Sequence, residues 1–449
     1  MTAPEPARPD RHDLGVLYLG WQREAVEALQ SLGARVTCVV PVSERFKPAE
    51  EGFTGTVLAA GDHTSVEHVL GALADRNLAP SSFRVVCTED EFAIVASAVL
   101  AELGRTQPFL TPAVALALRD KGVQKRRVRE AGIPVADATR FPGLDALAEA
   151  VRSGAVELPV VVKPPAGAGS VHTRLVRDAA ELAAFTRAVG DAAGPWLVES
   201  FVRGEELHVD GAVRDGRTVV LSVSRYLHNV VEVHEGRLVG SATLDTGSER
   251  ALSDAVAALT ERALRAIGHT DGVFHLEAFH DDGDLVFGEC AGRIGGGMIL
   301  EAVRAKYGVD LYREWAAAAL GLPSPAAEHG GAPDGGPEKD SFGWVNLAAP
   351  PGRIRVLPSR TAIESRPGVV QGQLWAKEGD RIGDMREGSH LLVAKALVRA
   401  PAEATVRERL FEVGRWFGAA LAMEPAAPAA ADGEDGAGDG DREGRGADV

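Results

Sequence analysis

Val273-Phe274-His275-Leu276-Glu277-Ala278-Phe279 and Leu285-Val286-Phe287-Gly288-Glu289, joined by His280-Asp281-Asp282-Gly283-Asp284, decide how this chain is read. Both flanks alternate apolar and polar residues and are rich in β-branched and aromatic side chains, which predicts a β-hairpin. A turn centred on Gly283 sets Glu277 directly opposite Glu289, with both side chains on one face. Opposed side chains in a sheet lie about 5 Å apart, and like charges there destabilise. Each carboxylate is therefore expected to be uncomfortable unless a cation sits between them or one stays protonated. Hard divalent ions such as Mg²⁺ take carboxylate oxygens together with phosphate oxygens. Cys290-Ala291-Gly292-Arg293-Ile294-Gly295-Gly296-Gly297 follows, a fixed positive charge beside glycines whose backbone is open to an anion. The plain alternative is an edge hairpin with two solvated glutamates. A one-residue slip in register would also send the two side chains to opposite faces.

At 449 residues the chain suits two or three domains, and 45% hydrophobic with 25% charged residues is ordinary globular composition. A net charge of −16 argues against a general binder of nucleic acid or anionic membrane. Part of the excess acid lies at the end, where Glu424–Val449 holds eight acidic residues against two arginines. Cys38, Cys87 and Cys290 are scattered without ligand-like spacing, so buried free thiols in a reducing compartment are expected. Met1–Asp13 has no apolar core and is not a signal peptide. No apolar run approaches the ~20 residues that span a bilayer. A cytoplasmic location follows by elimination.

Leu14–Gly20, Arg23–Leu32 and Arg35–Val40 read as strand, helix and strand, a βαβ unit that implies a parallel sheet. The alternation continues with a helix near Thr64–Ala74, a strand at Phe83–Cys87 and a helix at Glu91–Leu103. Gly15 and Gly20 lack the dinucleotide spacing and are read as turn glycines. Thr111–Ala131 reads as one long basic helix, with Gly132-Ile133-Pro134 as its stop. Such a basic face is ordinarily solvated. Pro159–Pro164 is a buried strand containing Lys163, and it runs into Pro165-Ala166-Gly167-Ala168-Gly169-Ser170-Val171. Loops this poor in side chains let backbone N–H groups approach an anion closely, although a simple flexible turn has the same composition. Strands are expected at Thr173–Val176, Trp196–Val202, Glu206–Gly211, Thr218–Val223 and Val230–Val233, and a helix at Asp254–Ile267. After the hairpin come helices at Met298–Tyr307 and Leu311–Leu320, a Gly/Pro/Ala/Glu linker to Asp340, and an α+β unit over Phe342–Leu421. Beyond Glu424 nothing is left to bury, so disorder is expected.

Four of these segments, in this order and at these gaps, resemble the ATP-grasp superfamily, and within it carboxylate–amine ligases of the L-amino acid ligase type. The resemblance runs over roughly residues 14–421. It implies an ATP-grasp fold of mixed α/β and α+β class. The domains would be a flexible start (1–13), an N-terminal parallel-sheet α/β domain (14–110) and a two-part ATP-binding core (111–322) with a mobile lid at about 135–200. A linker (323–340), a C-terminal α+β domain (341–421) and a disordered acidic tail (424–449) would complete the chain.

The resemblance also implies roles. Asp120-Lys121, with Lys125 and Gly132-Ile133-Pro134, looks like the first nucleotide lysine and its helix. Lys163, with Gly167, Gly169 and Ser170, looks like the second lysine and the loop that covers the phosphates. Glu199, Phe201 and Val202 look like the adenine hinge, and Glu206 the ribose ligand. Glu277 and Glu289 look like the carboxylates for two Mg²⁺ ions (Mn²⁺ as a substitute), and Arg293 like the arginine over an acyl phosphate. Ala291 stands where many relatives carry an asparagine ligand that amino acid ligases often lack, so the resemblance tilts toward them and water or phosphate oxygens must complete the metal shell. The implied partners are ATP, a small carboxylate and a small amine, with a homodimer as one assembly state. Candidate substrate contacts are His275, Gly296, Arg225 and His228, with His234 beside them; a His or Arg on a strand is more often structural. Two rival readings remain. One is a carboxylase of the biotin-carboxylase or purine-pathway type, disfavoured by the lack of a Met-Lys-Met carrier signature. The other is a nucleotide-binding protein without catalysis, disfavoured by an intact set of lysines, glutamates and arginine.

Overall fold

The computed structural model describes residues 15–107, 109–190, 194–245, 247–328 and 339–425. The N-terminal stretch 1–13, most of the linker expected at 323–340 and the tail beyond residue 425 lie outside the described residues.

The chain opens with four parallel strands: β1 (Gly15–Leu19), β2 (Arg35–Pro41), β3 (Thr56–Ala60) and β4 (Val85–Cys87), in the order β3-β2-β1-β4. Helices cover such a sheet on both faces, which is why β1 and β2 read as continuous apolar runs. A second, antiparallel sheet holds β5 (Ala138–Phe141), β6 (Val160–Lys163), β7 (Arg174–Val176) and β8 (Trp196–Ser200), ordered β5-β8-β6-β7. Period 2 divides its faces. Val160, Val162, Val176, Trp196 and Val198 pack on Leu147, Leu182 and Phe185 of two helices. The opposite face carries Lys163 and Glu199.

The main sheet has eight strands. Its first members are β9 (Glu205–Arg214), β10 (Arg217–Tyr226), β11 (Gly240–Thr243), β12 (Gly272–Asp281), β13 (Asp284–Ala291) and β14 (Ser341–Leu347). Two C-terminal strands, β16 (Val369–Leu374) and β18 (Ala394–Ala400), complete it, while β15 (Gly352–Val356), β17 (Arg381–Ile382) and β19 (Ala422–Pro425) form a separate three-stranded sheet. The order across the main sheet is β13-β12-β9-β10-β11-β14-β18-β16. The C-terminal segment thus continues the main sheet, and the short strand β11 is the splice. One face of this sheet sets Leu207, Val209, Leu221, Val223, Phe274 and Leu276 against Val256, Leu259, Ala263 and Leu264 of helix Arg250–Ile267. The other face is polar and forms the floor of the site.

Three local expectations are corrected. The basic segment Thr111–Ala131 is two helices, Pro112–Arg119 and Lys121–Glu130, because Asp120 is extended (φ −101°, ψ 106°). Its side chain caps the second helix by accepting from the Val123 N–H at 2.9 Å. Val230–Val233, read as a strand from its valines, lies in a 3₁₀ helix, Val230–Glu235, and the Val230 N–H goes to the Glu206 carboxylate at 2.6 Å instead of a ladder partner. Glu424, assigned to the disordered tail, belongs to β19 and pairs with Arg353 of β15. No helix among the described residues is long and apolar enough to cross a membrane.

Candidate active site

β12 and β13 form the hairpin, and Glu277 faces Glu289. The route differs from a turn centred on Gly283. The turn is a two-residue one, Asp282-Gly283, with φ of +47° and +97°, and it aligns Asp281 with Asp284. Uninterrupted pairing would set Glu277 against Gly288 and send Glu289 to the opposite face. A bulge at Gly288 supplies the extra residue that brings Glu289 round. The position is tight: a Cβ on Gly288 would lie 2.9 Å from the Glu277 carbonyl oxygen.

Repulsion between the two carboxylates is not the governing term. Lys163 Nζ lies 3.3 Å and Lys121 Nζ 3.6 Å from Glu289 Oε2. Burial pushes the Glu289 carboxyl up, but Lys121, Lys163 and Lys125 outweigh it and hold it down at about 2. Lys121 and Lys163 thus place positive charge beside Glu289. Glu277 Oε1 has only long contacts, to His275 Nε2 at 3.5 Å and Tyr226 Oη at 3.4 Å.

Lys163 also lies 3.2 Å from Glu199 Oε1, while Lys125 reaches Glu199 Oε2 at 3.2 Å and donates to the Gly288 carbonyl at 2.7 Å. Burial lowers the Lys163 pKa, yet Glu199 and Glu289 overcome it and the ammonium stays charged. Lys121, at the start of its helix because Asp120 breaks the chain there, donates to the Gly167 carbonyl at 2.7 Å. The sequence reading left Lys125 without a role of its own. It is 1% exposed and joins Glu199 to the bulge.

The small-residue loop arches over this cluster. Gly169 (φ +61°), Ser170 (φ +59°) and His172 (φ +53°) are left-handed, and the Gly169 carbonyl accepts from the Ser389 N–H at 2.9 Å. Glu206 on β9 is buried, and burial followed by the charge of Glu277 raises its carboxyl well above the ordinary range. Phe201 lines a cavity of about 440 Å³ with Pro159, Leu175, Asn229 and Val231, between the small sheet and the 3₁₀ helix. Val202 follows Phe201, half-buried at the same edge.

Arg293 comes from the turn after β13. Its guanidinium bonds Glu91 through Nε and the Ile294 carbonyl through Nη1, and Nη2 has no partner among the described residues. Burial disfavours that charge, but Glu91 more than restores it. Glu91 and Glu89 extend from the end of β4, so the N-terminal sheet closes one wall of the site. Glu89 accepts the Ile294 N–H at 3.1 Å, and burial raises its carboxyl to about 7. Neither residue was anticipated, since nothing local marks the end of a parallel strand as facing a loop two hundred residues later.

The proposed substrate contacts divide. His275 is in the site, with Nδ1 2.8 Å from Asp210 Oδ1. Gly296 has open space where a Cβ would be. Arg225 is elsewhere, held by Glu205 at 3.0 Å, Glu249 at 3.5 Å and Glu403 at 2.9 Å. His228 stacks edge-on to Phe411, and His234 Nδ1 lies 2.6 Å from the Arg386 carbonyl. These three fasten the C-terminal segment to the core. His208 and Asp210, missed in the sequence, share the site face with Glu206; their alternation along β9 was the available signal.

This arrangement defines a class of protein. Residues 156–301 match the model of the ATP-grasp domain, and the chain has the ATP-grasp fold. It is similar to the L-arginine-specific L-amino acid ligase of Bacillus subtilis, 24% identical over 284 residues covering 61% of this chain and 65% of that protein. It is also similar to the D-alanine–D-alanine ligase of Anaeromyxobacter sp. (strain K), 41% identical over 100 residues covering 22% of this chain and 32% of the ligase. The chain thus spans less than two thirds of either relative. The structure of an L-amino acid ligase from Bacillus licheniformis superposes with a TM-score of 0.72 at 18% identity, covering 93% of this chain and 100% of that one.

Proposed function

We propose that this protein is an ATP-dependent carboxylate–amine ligase that joins an amino acid or related acid to an amine, giving ADP and phosphate. The observation that carries this reading is the convergence of Lys121, Lys125 and Lys163 on Glu289 and Glu199, beside Arg293 and beneath a loop of small residues. Such a constellation suits phosphoryl transfer, which asks a protein for positioning and charge stabilisation more than for covalent chemistry.

In this account Glu199, Phe201 and Val202 hold the adenine and Glu206 the ribose. Lys163, Lys121 and Lys125 neutralise the phosphates, and the loop through Gly167, Gly169 and Ser170 covers them. The donor set of Glu277 and Glu289 suits a hard divalent cation, because among the described residues Glu277 Oε1 has only long contacts. Those two residues would hold two Mg²⁺ ions, which supply charge neutralisation on phosphate oxygens. A substrate carboxylate oxygen attacks the γ-phosphorus, ADP leaves and an acyl phosphate forms. The amine nitrogen then attacks the acyl carbon, phosphate departs and a proton is released. Arg293, with Nη2 free, is placed to hold the acyl phosphate and the oxyanion that succeeds it. Loop closure keeps water from the intermediate.

The test is phosphate release with ATP, Mg²⁺ and a matrix of amino acid pairs, with the products weighed by mass spectrometry. Amide products support the ligase. Release that requires bicarbonate would favour a carboxylase, and nucleotide binding without turnover under every condition would favour a non-catalytic role.

A further inference from the structure

A chain of polar groups runs across the site face of the main sheet to Glu277. Ser241 Oγ on β11 lies 2.7 Å from His208 Nε2 on β9, and His208 Nδ1 lies 2.5 Å from Asp210 Oδ2. Asp210 Oδ1 lies 2.8 Å from His275 Nδ1 on β12, and His275 Nε2 faces Glu277 Oε1 at 3.5 Å. Ser241, His208 and Asp210 are each 1% exposed. Tyr226 meets the same Glu277 oxygen at 3.4 Å and packs its ring 4.7 Å from that of His208. Gly295 seals the chain from the other side: a Cβ there would lie 2.7 Å from both Asp210 Oδ1 and His275 Nδ1.

Burying a carboxylate between two imidazoles costs more than packing apolar groups of similar volume, so such a network points to a task other than stability. Neither Asp210 oxygen is spare, since each holds one histidine. His275 in turn has one nitrogen fixed by Asp210 and the other directed at Glu277. Groups behind a metal ligand that fix its orientation typically change metal affinity about 10–100-fold when removed.

We propose that Asp210 is a positioning residue for Glu277, acting through His275, and that Ser241–His208–Asp210–His275 sets the affinity of the site for its divalent cation. This rests on the reading of Glu277 as a metal ligand. The nitrogens of His208 and His275 nearest Asp210 are engaged with it, so the trio serves as a clamp for Glu277 rather than as a separate cation site. That distinction is testable, because one ligand atom from each of the three lies within 4.8 Å of the others.

The experiment measures Mn²⁺ binding by the electron paramagnetic resonance signal of the free ion, with a non-hydrolysable ATP analogue present. Metal-free affinity for the analogue is measured beside it. Asp210→Asn should weaken Mn²⁺ about 10–100-fold while metal-free analogue affinity stays within about twofold, because the lysines are untouched. Ser241→Ala, two links further out, should show a smaller loss in the same direction, and it carries the test if Asp210→Asn does not fold. Unchanged Mn²⁺ affinity in a folded Asp210→Asn, or in Ser241→Ala where that variant carries the test, would overturn the proposal and leave the ATP-grasp reading standing. Stoichiometric Zn²⁺ or Mn²⁺ binding without nucleotide, abolished by Asp210→Asn, would also overturn it and make the trio a metal site in its own right. Failure of the wild type to bind Mn²⁺ with the analogue would remove both readings.

Discussion

Glu277 and Glu289 face each other only because Gly288 is an extra residue in one of their two strands. The bulge puts both carboxylates on the floor of the site, and its carbonyl is where Lys125 anchors at 2.7 Å. Gly288→Val should therefore fail twice. Its side chain meets the Glu277 backbone, and overpacking of this kind costs about 1–3 kcal/mol. Loss of the bulge geometry should also remove nucleotide-dependent metal binding. Chemical denaturation and Mn²⁺ titration measure the two effects separately.

Glu289→Gln should destabilise the protein without ligands, because the carboxylate is held down to about 2 by Lys121, Lys163 and Lys125. The sign follows from linkage. A carboxyl with a depressed pKa in the folded state contributes stability above its unfolded value of 4.5, and that stability fades as pH falls toward 2. Wild type should thus be more stable than Glu289→Gln at pH 6, with the gap closing on acidification. Unfolding midpoints in urea across pH 2–7 would reveal an opposite trend if repulsion from Glu277 governed the pair.

Lys125→Met separates two of the lysines. Stranding a buried charge typically costs about 3–5 kcal/mol, but Lys163 remains 3.2 Å from Glu199, so a cost nearer 2 kcal/mol is expected. Analogue binding should fall sharply. Lys121→Met, whose ammonium holds the Gly167 carbonyl and also helps to hold the Glu289 carboxyl down, should cost some stability as well but weaken binding less. Calorimetric titration of both variants gives the order.

Much of this was legible in the sequence because period and punctuation carried it. The alternation announced the hairpin and the apolar runs of β1 and β2 announced a parallel sheet, but the bulge at Gly288 that turns Glu289 toward Glu277 left no mark in that alternation. What failed was local conformation decided by distant partners. Asp120 breaks a helix whose composition is helical throughout, and the Val230 N–H is taken by Glu206. The short strand β11, four residues long, gave no pattern of its own, yet it joins the C-terminal strands to the core. Glu89 and Glu91 escaped notice because their partners, the Ile294 N–H and Arg293, are distant in sequence.

Arg293→Ala should still bind the ATP analogue, since the proposed nucleotide contacts are Lys121, Lys163 and residues 199–206. Amide formation should collapse, as expected for a group that acts mainly after phosphoryl transfer has begun. Parallel binding and product assays decide this. Product at the wild-type rate would remove Arg293 from the reaction.

The most direct test follows oxygen. The acid substrate that gives the fastest phosphate release is prepared with ¹⁸O in its carboxylate and turned over with ATP and the amine, and the released phosphate is weighed. Passage through an acyl phosphate predicts one ¹⁸O in phosphate for each amide bond formed. Unlabelled phosphate accompanying amide product would contradict the account.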